Sequence, residues 1–197
     1  MAGNSWGDFY ANAGGSDYFL DHVAIHKDFL KEILRRNPET AMEAGCGSAI
    51  MSIFLSMTGI RVIACDRDEQ ILKKAAENAK RWKTPVQFSK EDVLKFSFQP
   101  DSFDMVFSQG VLEHLNDEQI HQAAAEALRV GKTFFFSVPS FYYKHRDFGD
   151  ERLLREDQWK QLMKGIGKFK IIPYYYIRTK RNFLLKCPLM FMGVLTR

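Results

Sequence analysis

One short segment, Glu43-Ala44-Gly45-Cys46-Gly47, places a carboxylate next to two glycines directly after an apolar run. Two glycines allow a tight turn and let the backbone approach a ligand closely. A helix after such a turn presents free N–H groups, which often bind phosphate. The carboxylate argues against phosphate, because like charges repel, and favours a cationic ligand. The dinucleotide pattern GxGxxG is also incomplete, since Ile50 stands where its third glycine belongs.

Two further acidic residues follow apolar runs. Asp66 ends the run 61–65 and can accept hydrogen bonds from both hydroxyls of a ribose. Its alternative role is to cap the helix that begins near Asp68. Asp92 and Val93 follow the run 86–88 and offer an acceptor for an adenine amino group and an N–H for a ring nitrogen. The alternative for Asp92 is a solvated loop carboxylate.

Apolar segments alternate along the chain in a way typical of an α/β protein. Alternating βα units predict a mostly parallel, doubly wound sheet, in which ligands bind beyond the carboxyl ends of the strands. The last two apolar runs predict a C-terminal antiparallel hairpin, with Pro188 at a bulge or an edge position. The predicted strands are 40–43, 61–65, 86–88, 103–107, 133–138, 170–177 and 184–195, and the predicted helices are 16–36, 50–58, 68–82, 117–130 and 155–163.

Length and composition predict a single globular domain. The chain has 197 residues, of which 46% are hydrophobic and 26% are charged. Residues 1–37 form an N-terminal segment that is either a lid or a frayed end, and residues 38–197 form the core. No apolar run reaches the roughly 18 residues of a membrane helix, and the N-terminus lacks the features of a secretory signal. The net charge of +4 does not establish nucleic-acid binding.

Cysteine and histidine spacing gives no sign of a metal centre. The three cysteines form no CxxC pair, which disfavours a zinc site or a disulfide framework and favours a reducing, cytoplasmic setting. His22 and His26 are four residues apart on a predicted helix, as metal ligands often are. Because no HExxH motif and no third ligand accompany them, we predict no metal and place both histidines on the surface.

Taken together, the acid-x-Gly-x-Gly turn, Asp66 and Asp92 resemble the class I S-adenosylmethionine-dependent methyltransferases. The run Phe103 to Leu115, FDMVFSQGVLEHL, is similar to the branch that acts mainly on small molecules. The resemblance covers roughly residues 40–140 and implies a Rossmann-like, seven-stranded sheet. It also implies S-adenosylmethionine as cofactor, with S-adenosylhomocysteine as product.

The resemblance further implies a role for each matching residue. Glu43 and the Gly45 and Gly47 backbones would face the methionine part of the cofactor, with Cys46 as a small filler in the turn. His114 is the candidate general base, its alternative being a structural histidine. The other implied cofactor contacts are Asp66 at the ribose, Arg67 at the adenine face, Asp92 and Val93 at the adenine edge, and Ser108, Gln109 and Gly110 near the sulfonium.

The acceptor is less well defined by the sequence. Aromatic residues after the fifth strand, together with Tyr18, predict a small organic acceptor, and the candidate contacts are Tyr18, Phe141, Tyr142, Tyr143 and His145. The basic side chains of Lys144, His145 and Arg146 in the same segment would instead favour an anionic acceptor. The run Ser108 to Val111 replaces the Asn/Asp-Pro-Pro-Tyr motif typical of base and amide methylation. An RNA methyltransferase, an NAD(P)-binding oxidoreductase and a non-catalytic scaffold remain alternatives, and the oligomeric state is not predicted.

Overall fold

A seven-stranded sheet forms the centre of the computed structural model, which describes residues 6–10, 13–143, 149–176 and 188–197. Its strands are β1 (Thr40–Ala44), β2 (Arg61–Asp66), β3 (Gln87–Lys90), β4 (Met105–Gln109), β5 (Thr133–Pro139), β6 (Lys168–Tyr176) and β7 (Pro188–Thr196). The spatial order is β3-β2-β1-β4-β5-β7-β6. Parallel pairing runs from β3 to β5, and β7 pairs antiparallel with β5 and β6. The predicted mostly parallel sheet with a C-terminal antiparallel hairpin is therefore confirmed.

Helices cover both faces of the sheet, because alternate residues of each strand point to opposite sides. On β5, Phe134 and Phe136 pack in one core with Trp159, whereas Phe135 packs in another core with Phe29. The helices are α1 (Trp6–Phe9), α2 (Ser16–Ile25), α3 (Lys27–Arg35), α4 (Ile50–Met57), α5 (Glu69–Arg81), α6 (Asp117–Val130) and α7 (Glu156–Leu162), with a short 3₁₀ helix at Leu112–His114. No helix in these described ranges combines the length and the apolar character needed to cross a membrane.

The structure corrects two sequence predictions. The helix predicted over 16–36 divides at His26, whose backbone leaves the helical region (φ −97°, ψ 14°) and separates α2 from α3. Pro188 lies at neither a bulge nor an edge strand, since it begins β7, which lies between β5 and β6. The first residue of a strand tolerates proline because its missing N–H costs little there. The predicted hairpin turn and the run 184–187 lie outside the described residues.

Candidate functional site

Two adjoining cavities open where the carboxyl ends of the parallel strands meet. The β1 cavity, about 480 Å³, lies beside Glu43, Cys46 and Gln109. The β2 cavity, about 350 Å³, lies beside Asp66 and Asp92. Both cavities share a set of lining residues, namely Trp6, Tyr10, Gly45, Gly110 and His114. The two cavities therefore form one elongated site with two compartments.

The glycine turn between β1 and α4 has a conformation that other residues rarely adopt. Gly45 and Gly47 have φ values of +72° and +51°. A Cβ atom added to Gly45 would collide with Val111, and one added to Gly47 would collide with the ring of Tyr10. The Cys46 N–H donates to the carbonyl of Cys65 over 2.8 Å, which ties the turn to the end of β2. The turn is therefore fixed, with its backbone available to a ligand.

Glu43 is buried at the end of β1 and lines the β1 cavity. Its Oε2 accepts hydrogen bonds from the Ser52 N–H over 3.2 Å and from the Ser52 hydroxyl over 2.5 Å. Burial raises the pKa of Glu43 to about 8, although the bonds from Ser52 act in the opposite direction. A cationic ligand nearby would favour its ionised form, as the charge argument from the sequence predicts.

Asp66 and Asp68 divide the two roles that the sequence left open for Asp66. Asp68 caps α5, accepting from the Gln70 and Ile71 N–H groups over 2.8 and 3.4 Å. Asp66 instead accepts from the Gly47 N–H over 3.2 Å and from the Asp68 N–H over 3.1 Å, and it lines the β2 cavity. Burial raises the pKa of Asp66 above its usual range. Its position next to the glycine turn leaves it available to a bound ligand.

The far end of the β2 cavity contains Arg67, Asp92 and Val93, as the resemblance implies. Asp92 is exposed and accepts from the Leu94 N–H over 2.9 Å, a local turn that fixes its carboxylate. The neighbouring Glu91 is buried and accepts hydrogen bonds from the hydroxyls of Ser89 and Ser97. Asp92 is therefore the carboxylate of this pair that a ligand can reach.

The predicted residues after β4 separate into two groups. Gln109 and Gly110 line the β1 cavity, and Gly110 has a φ of +70°. Ser108 is buried within β4, away from the lining of both cavities. The strand extends to Gln109 rather than ending at residue 107, which accounts for the position of Ser108 inside the sheet.

His114 lies on the 3₁₀ helix between the two cavities. Its Nδ1 is 2.7 Å from Oδ1 of Asp150, and its ring meets the Trp6 ring edge-on at 5.2 Å. Side-chain atoms of His114, Asp150 and Glu151 all lie within 4.8 Å of one another. These are ligand types that metals accept, and the absence of a metal remains a prediction.

Of the four candidate acceptor contacts that the structure describes, two lie in the lining of the β1 cavity. Tyr18 and Tyr143 line the β1 cavity. Phe141 and Tyr142 are exposed, with 59% and 47% of their surface accessible, and they pack against each other outside the cavity lining. His145 lies outside the described residues.

Four residues line the cavities without having been predicted to do so, namely His22, His26, Trp6 and Tyr10. His22 and His26 were expected on the surface, yet both line the β1 cavity, and His26 is only 5% exposed. Trp6 and Tyr10 of the N-terminal segment line both cavities. The spacing of the two histidines is helical, but the break at His26 that turns its ring inward has no signal in the sequence.

Comparison with known proteins identifies the domain. Residues 41–133 match a family described as "Methyltransferase domain". The chain is 30% identical to a ubiquinone biosynthesis O-methyltransferase of Hydrogenovibrio crunogenus over 61% of this chain and 54% of the relative. It is 33% identical to a ribosomal protein L11 methyltransferase of Thermosipho africanus over 48% of this chain and 36% of the relative. The chain thus spans about half, or less, of the length of these relatives.

Solved structures share the fold across most of the chain. An S-adenosylmethionine-dependent methyltransferase from Clostridium acetobutylicum superposes with a TM-score of 0.67 and 10% identity, covering 87% of this chain and 90% of that structure. Magnesium protoporphyrin IX methyltransferase from Synechocystis, solved with bound S-adenosylhomocysteine, gives a TM-score of 0.67 and 14% identity, covering 90% and 84%. The sheet order and the position of the site at the strand ends agree with this family match, and the chain contains a methyltransferase domain at residues 41–133.

Proposed function

We propose that this chain binds S-adenosylmethionine across the two cavities and transfers its methyl group to a small organic acceptor in the β1 cavity. The observation that carries the proposal is the continuity of the two cavities past the glycine turn, with carboxylates at the ends of β1 and β2. The donor set fits the cofactor: Asp66 for ribose hydroxyls, Asp92 and the Val93 N–H for adenine, and Glu43 on the cationic side.

The chemistry supplied by the cofactor is an activated methyl group on a sulfonium, so the protein needs no nucleophile of its own. Its residues must align the acceptor with that methyl group and exclude water. The ring of Trp6 stacks near Tyr10, with centroids 6.1 Å apart, and both rings line the junction of the cavities. Aromatic faces at this junction suit a sulfonium cation.

His114 is proposed as the base for an acceptor that must lose a proton. Its Nδ1 is 2.7 Å from the Asp150 carboxylate, which orients the imidazole, and an imidazole can exchange protons near neutral pH. The ring of His114 lines both cavities, so it lies near the junction where the methyl group would move from the cofactor to the acceptor. Because the imidazole is oriented by a carboxylate, its substitution should lower turnover while leaving cofactor binding in place.

A small acceptor is supported by the dimensions of the site. The β1 cavity of about 480 Å³ must hold both the methionine part of the cofactor and the acceptor, which leaves room for a compact molecule. One relative is named for ubiquinone biosynthesis and another for ribosomal protein L11, so the size of the cavity is what supports a small acceptor. An RNA acceptor remains an alternative. The cytoplasmic location remains a prediction.

Calorimetric titration with S-adenosylmethionine and S-adenosylhomocysteine tests the proposal, with NADH and NADPH as controls. We expect micromolar binding of the first two ligands and none of the nicotinamides. Binding of a nicotinamide alone would overturn the proposal. Transfer of a radiolabelled methyl group to a panel of small acceptors and to bulk tRNA then separates a small-molecule enzyme from an RNA enzyme, and cofactor binding without transfer to any acceptor would indicate a scaffold.

A further inference from the structure

A network of polar groups ends at the wall of the β1 cavity that α2 and His26 form. His26 Nδ1 is 2.9 Å from the Tyr174 hydroxyl, and that hydroxyl is hydrogen-bonded to the Ser137 hydroxyl. The ring of His22 lies 4.9 Å from the ring of His26, and Tyr18 stacks on His22 at 5.6 Å. This hydrogen-bonded network joins the N-terminal helices to β5 and β6. The proposed function gives it no role.

His26 is both part of a buried hydrogen-bonded network and part of the lining of the β1 cavity. Its surface is 5% exposed, that of Tyr174 is 3% and that of Ser137 is 0%. Buried polar groups destabilise a fold unless they are hydrogen-bonded, and a satisfied network holds its members rigidly. Nδ1 of His26 is hydrogen-bonded to the Tyr174 hydroxyl, so Nε2 is the ring nitrogen that can bind a molecule in the cavity.

Charge in the β1 cavity limits which acceptors it can hold. Burial lowers the pKa of His22 to about 4 and that of His26 well below its usual range, so both rings are neutral at pH 7. Carboxyl groups of Glu43, Glu113 and Glu151 line the same cavity, and among the described residues no lysine or arginine does. Such a lining suits a cationic sulfonium, beside which Glu43 would ionise, and it offers an anionic acceptor no cation among the described residues.

We propose that His26 is a specificity-determining residue whose Nε2 accepts a hydrogen bond from an uncharged hydroxyl of the acceptor. The acceptor class is then an uncharged organic hydroxyl compound, in preference to a carboxylated or phosphorylated one. Its carbon skeleton would pack against apolar residues of the same cavity, namely Met51 of α4 and Leu189 and Met190 of β7. This inference depends on the proposed methyl transfer, since it assigns the acceptor end of that site.

Binding of simple probes to the S-adenosylhomocysteine-saturated chain tests the inference. Catechol offers uncharged hydroxyls, 1,2-dimethoxybenzene removes the donors, and 3,4-dihydroxybenzoate adds a carboxylate. We expect catechol to bind about tenfold more tightly than either of the other probes, the effect of one good hydrogen bond or one repulsive charge. Equal affinities, preference for the benzoate, or no binding of catechol would overturn the inference.

Substitutions at residue 26 separate recognition from folding. An asparagine in His26→Asn can still reach Tyr174 but lacks an atom at the Nε2 position, and a glutamine in His26→Gln restores one. The expected result is a roughly tenfold loss of catechol affinity in H26N, with partial recovery in H26Q and unchanged binding of 1,2-dimethoxybenzene. His121→Asn, on the exposed side of α6, is the matched control and should leave every affinity unchanged.

The two proposals fail in different ways. If the wild-type chain does not bind S-adenosylhomocysteine, the proposed function is wrong. If it binds the cofactor product and H26N keeps the preference for catechol, only the role of His26 is wrong. Should H26N lose cofactor binding as well, Tyr174→Phe provides the second test, since it frees the ring of His26 and should weaken catechol binding about threefold without touching the cavity.

Discussion

Asp66 and Asp68 lie two residues apart, yet their carboxylates face different partners. Asp66 is directed to the glycine turn, and Asp68 caps α5. We therefore expect Asp66→Ala to weaken S-adenosylmethionine binding by about 1.5–3 kcal/mol, the value of charged hydrogen bonds to ribose hydroxyls. Calorimetry measures this change directly.

The matched variant Asp68→Ala removes the cap of α5 and a second carboxylate from the lining of the β2 cavity. It should lower the free energy of unfolding by about 0.5–2 kcal/mol and weaken cofactor binding much less than Asp66→Ala does, because the Asp68 carboxylate is already hydrogen-bonded to the backbone of α5. An unchanged dissociation constant in Asp66→Ala, or a loss of affinity confined to Asp68→Ala, would show that the two roles had been assigned to the wrong carboxylates.

Glu43 makes the stability of the fold depend on pH. Its pKa rises from 4.5 to about 8 on folding because burial disfavours the charge. The folded chain keeps a proton that the unfolded chain loses, so this contribution to stability is complete below pH 4.5 and is lost as the pH rises towards 8. In Glu43→Gln, which has no charge to bury, the melting temperature should fall less between pH 5 and pH 9 than in the wild type.

Differential scanning calorimetry over that pH range measures the effect. Glu77→Gln, on the exposed side of α5, is the control and should follow the wild-type profile. Parallel profiles for wild type and Glu43→Gln would mean that the buried carboxyl does not titrate in this range.

Local chemistry explains which site residues could be predicted. The glycine turn, Asp66 and Asp92 are short-range signals, because each follows its own strand and the strand ends converge in a parallel sheet. His26 and Tyr174 are 148 residues apart, and only the folded chain brings them together. Ser108 was expected just beyond a strand, but β4 begins and ends two residues later than predicted and therefore includes it.

At the scale of elements, hydrophobic periodicity predicted most strands and helices, and α6 matches its predicted bounds of 117–130. The capping box that Asn116 and Gln119 form marks the start of α6, and it involves only four consecutive residues. The first residue of this helix can therefore be predicted from the local sequence. The break between α2 and α3 has no such signal, because the buried bond of His26 to Tyr174 comes from another part of the fold.

The helix α1 is the element whose functional role can be tested most directly. Trp6 and Tyr10 line both cavities, and the ring of Tyr10 lies against Gly47. If α1 acts as a lid, Trp6→Ala should weaken cofactor binding by about 1–2 kcal/mol, mostly through faster dissociation. Stopped-flow displacement of bound S-adenosylhomocysteine measures the dissociation rate.

Leu20→Ala provides the control for α1. Leu20 is 66% exposed on α2, outside the cavity lining, so its removal should leave the dissociation rate unchanged. Identical rates for Trp6→Ala and wild type would show that α1 packs beside the site without covering it.

At the scale of the whole molecule, the antiparallel end of the sheet contributes to the site because β7 lines the β1 cavity. The first residues of β7, including Leu189 and Met190, line the β1 cavity, whereas Gly193 further along lies inside the sheet. Gly193 pairs with Phe136, and a Cβ atom there would collide with the Phe136 ring, which packs against Trp159 and Phe169. The interior of the hairpin thus has no space for one added methyl group.

Gly193→Ala should consequently destabilise the fold by about 1–3 kcal/mol, the usual effect of overpacking a core. For a chain of this length that loss corresponds to roughly 2–4 °C in melting temperature per kcal/mol. Gly15→Ala, where nothing lies within 4 Å of the added atom, is the control and should shift the melting temperature much less. Because the glycine turn and the carboxylates belong to the parallel half of the sheet, cofactor affinity in Gly193→Ala should remain at the wild-type value below the melting transition. A large loss of affinity without a loss of stability would instead mean that the hairpin directly shapes the cofactor site.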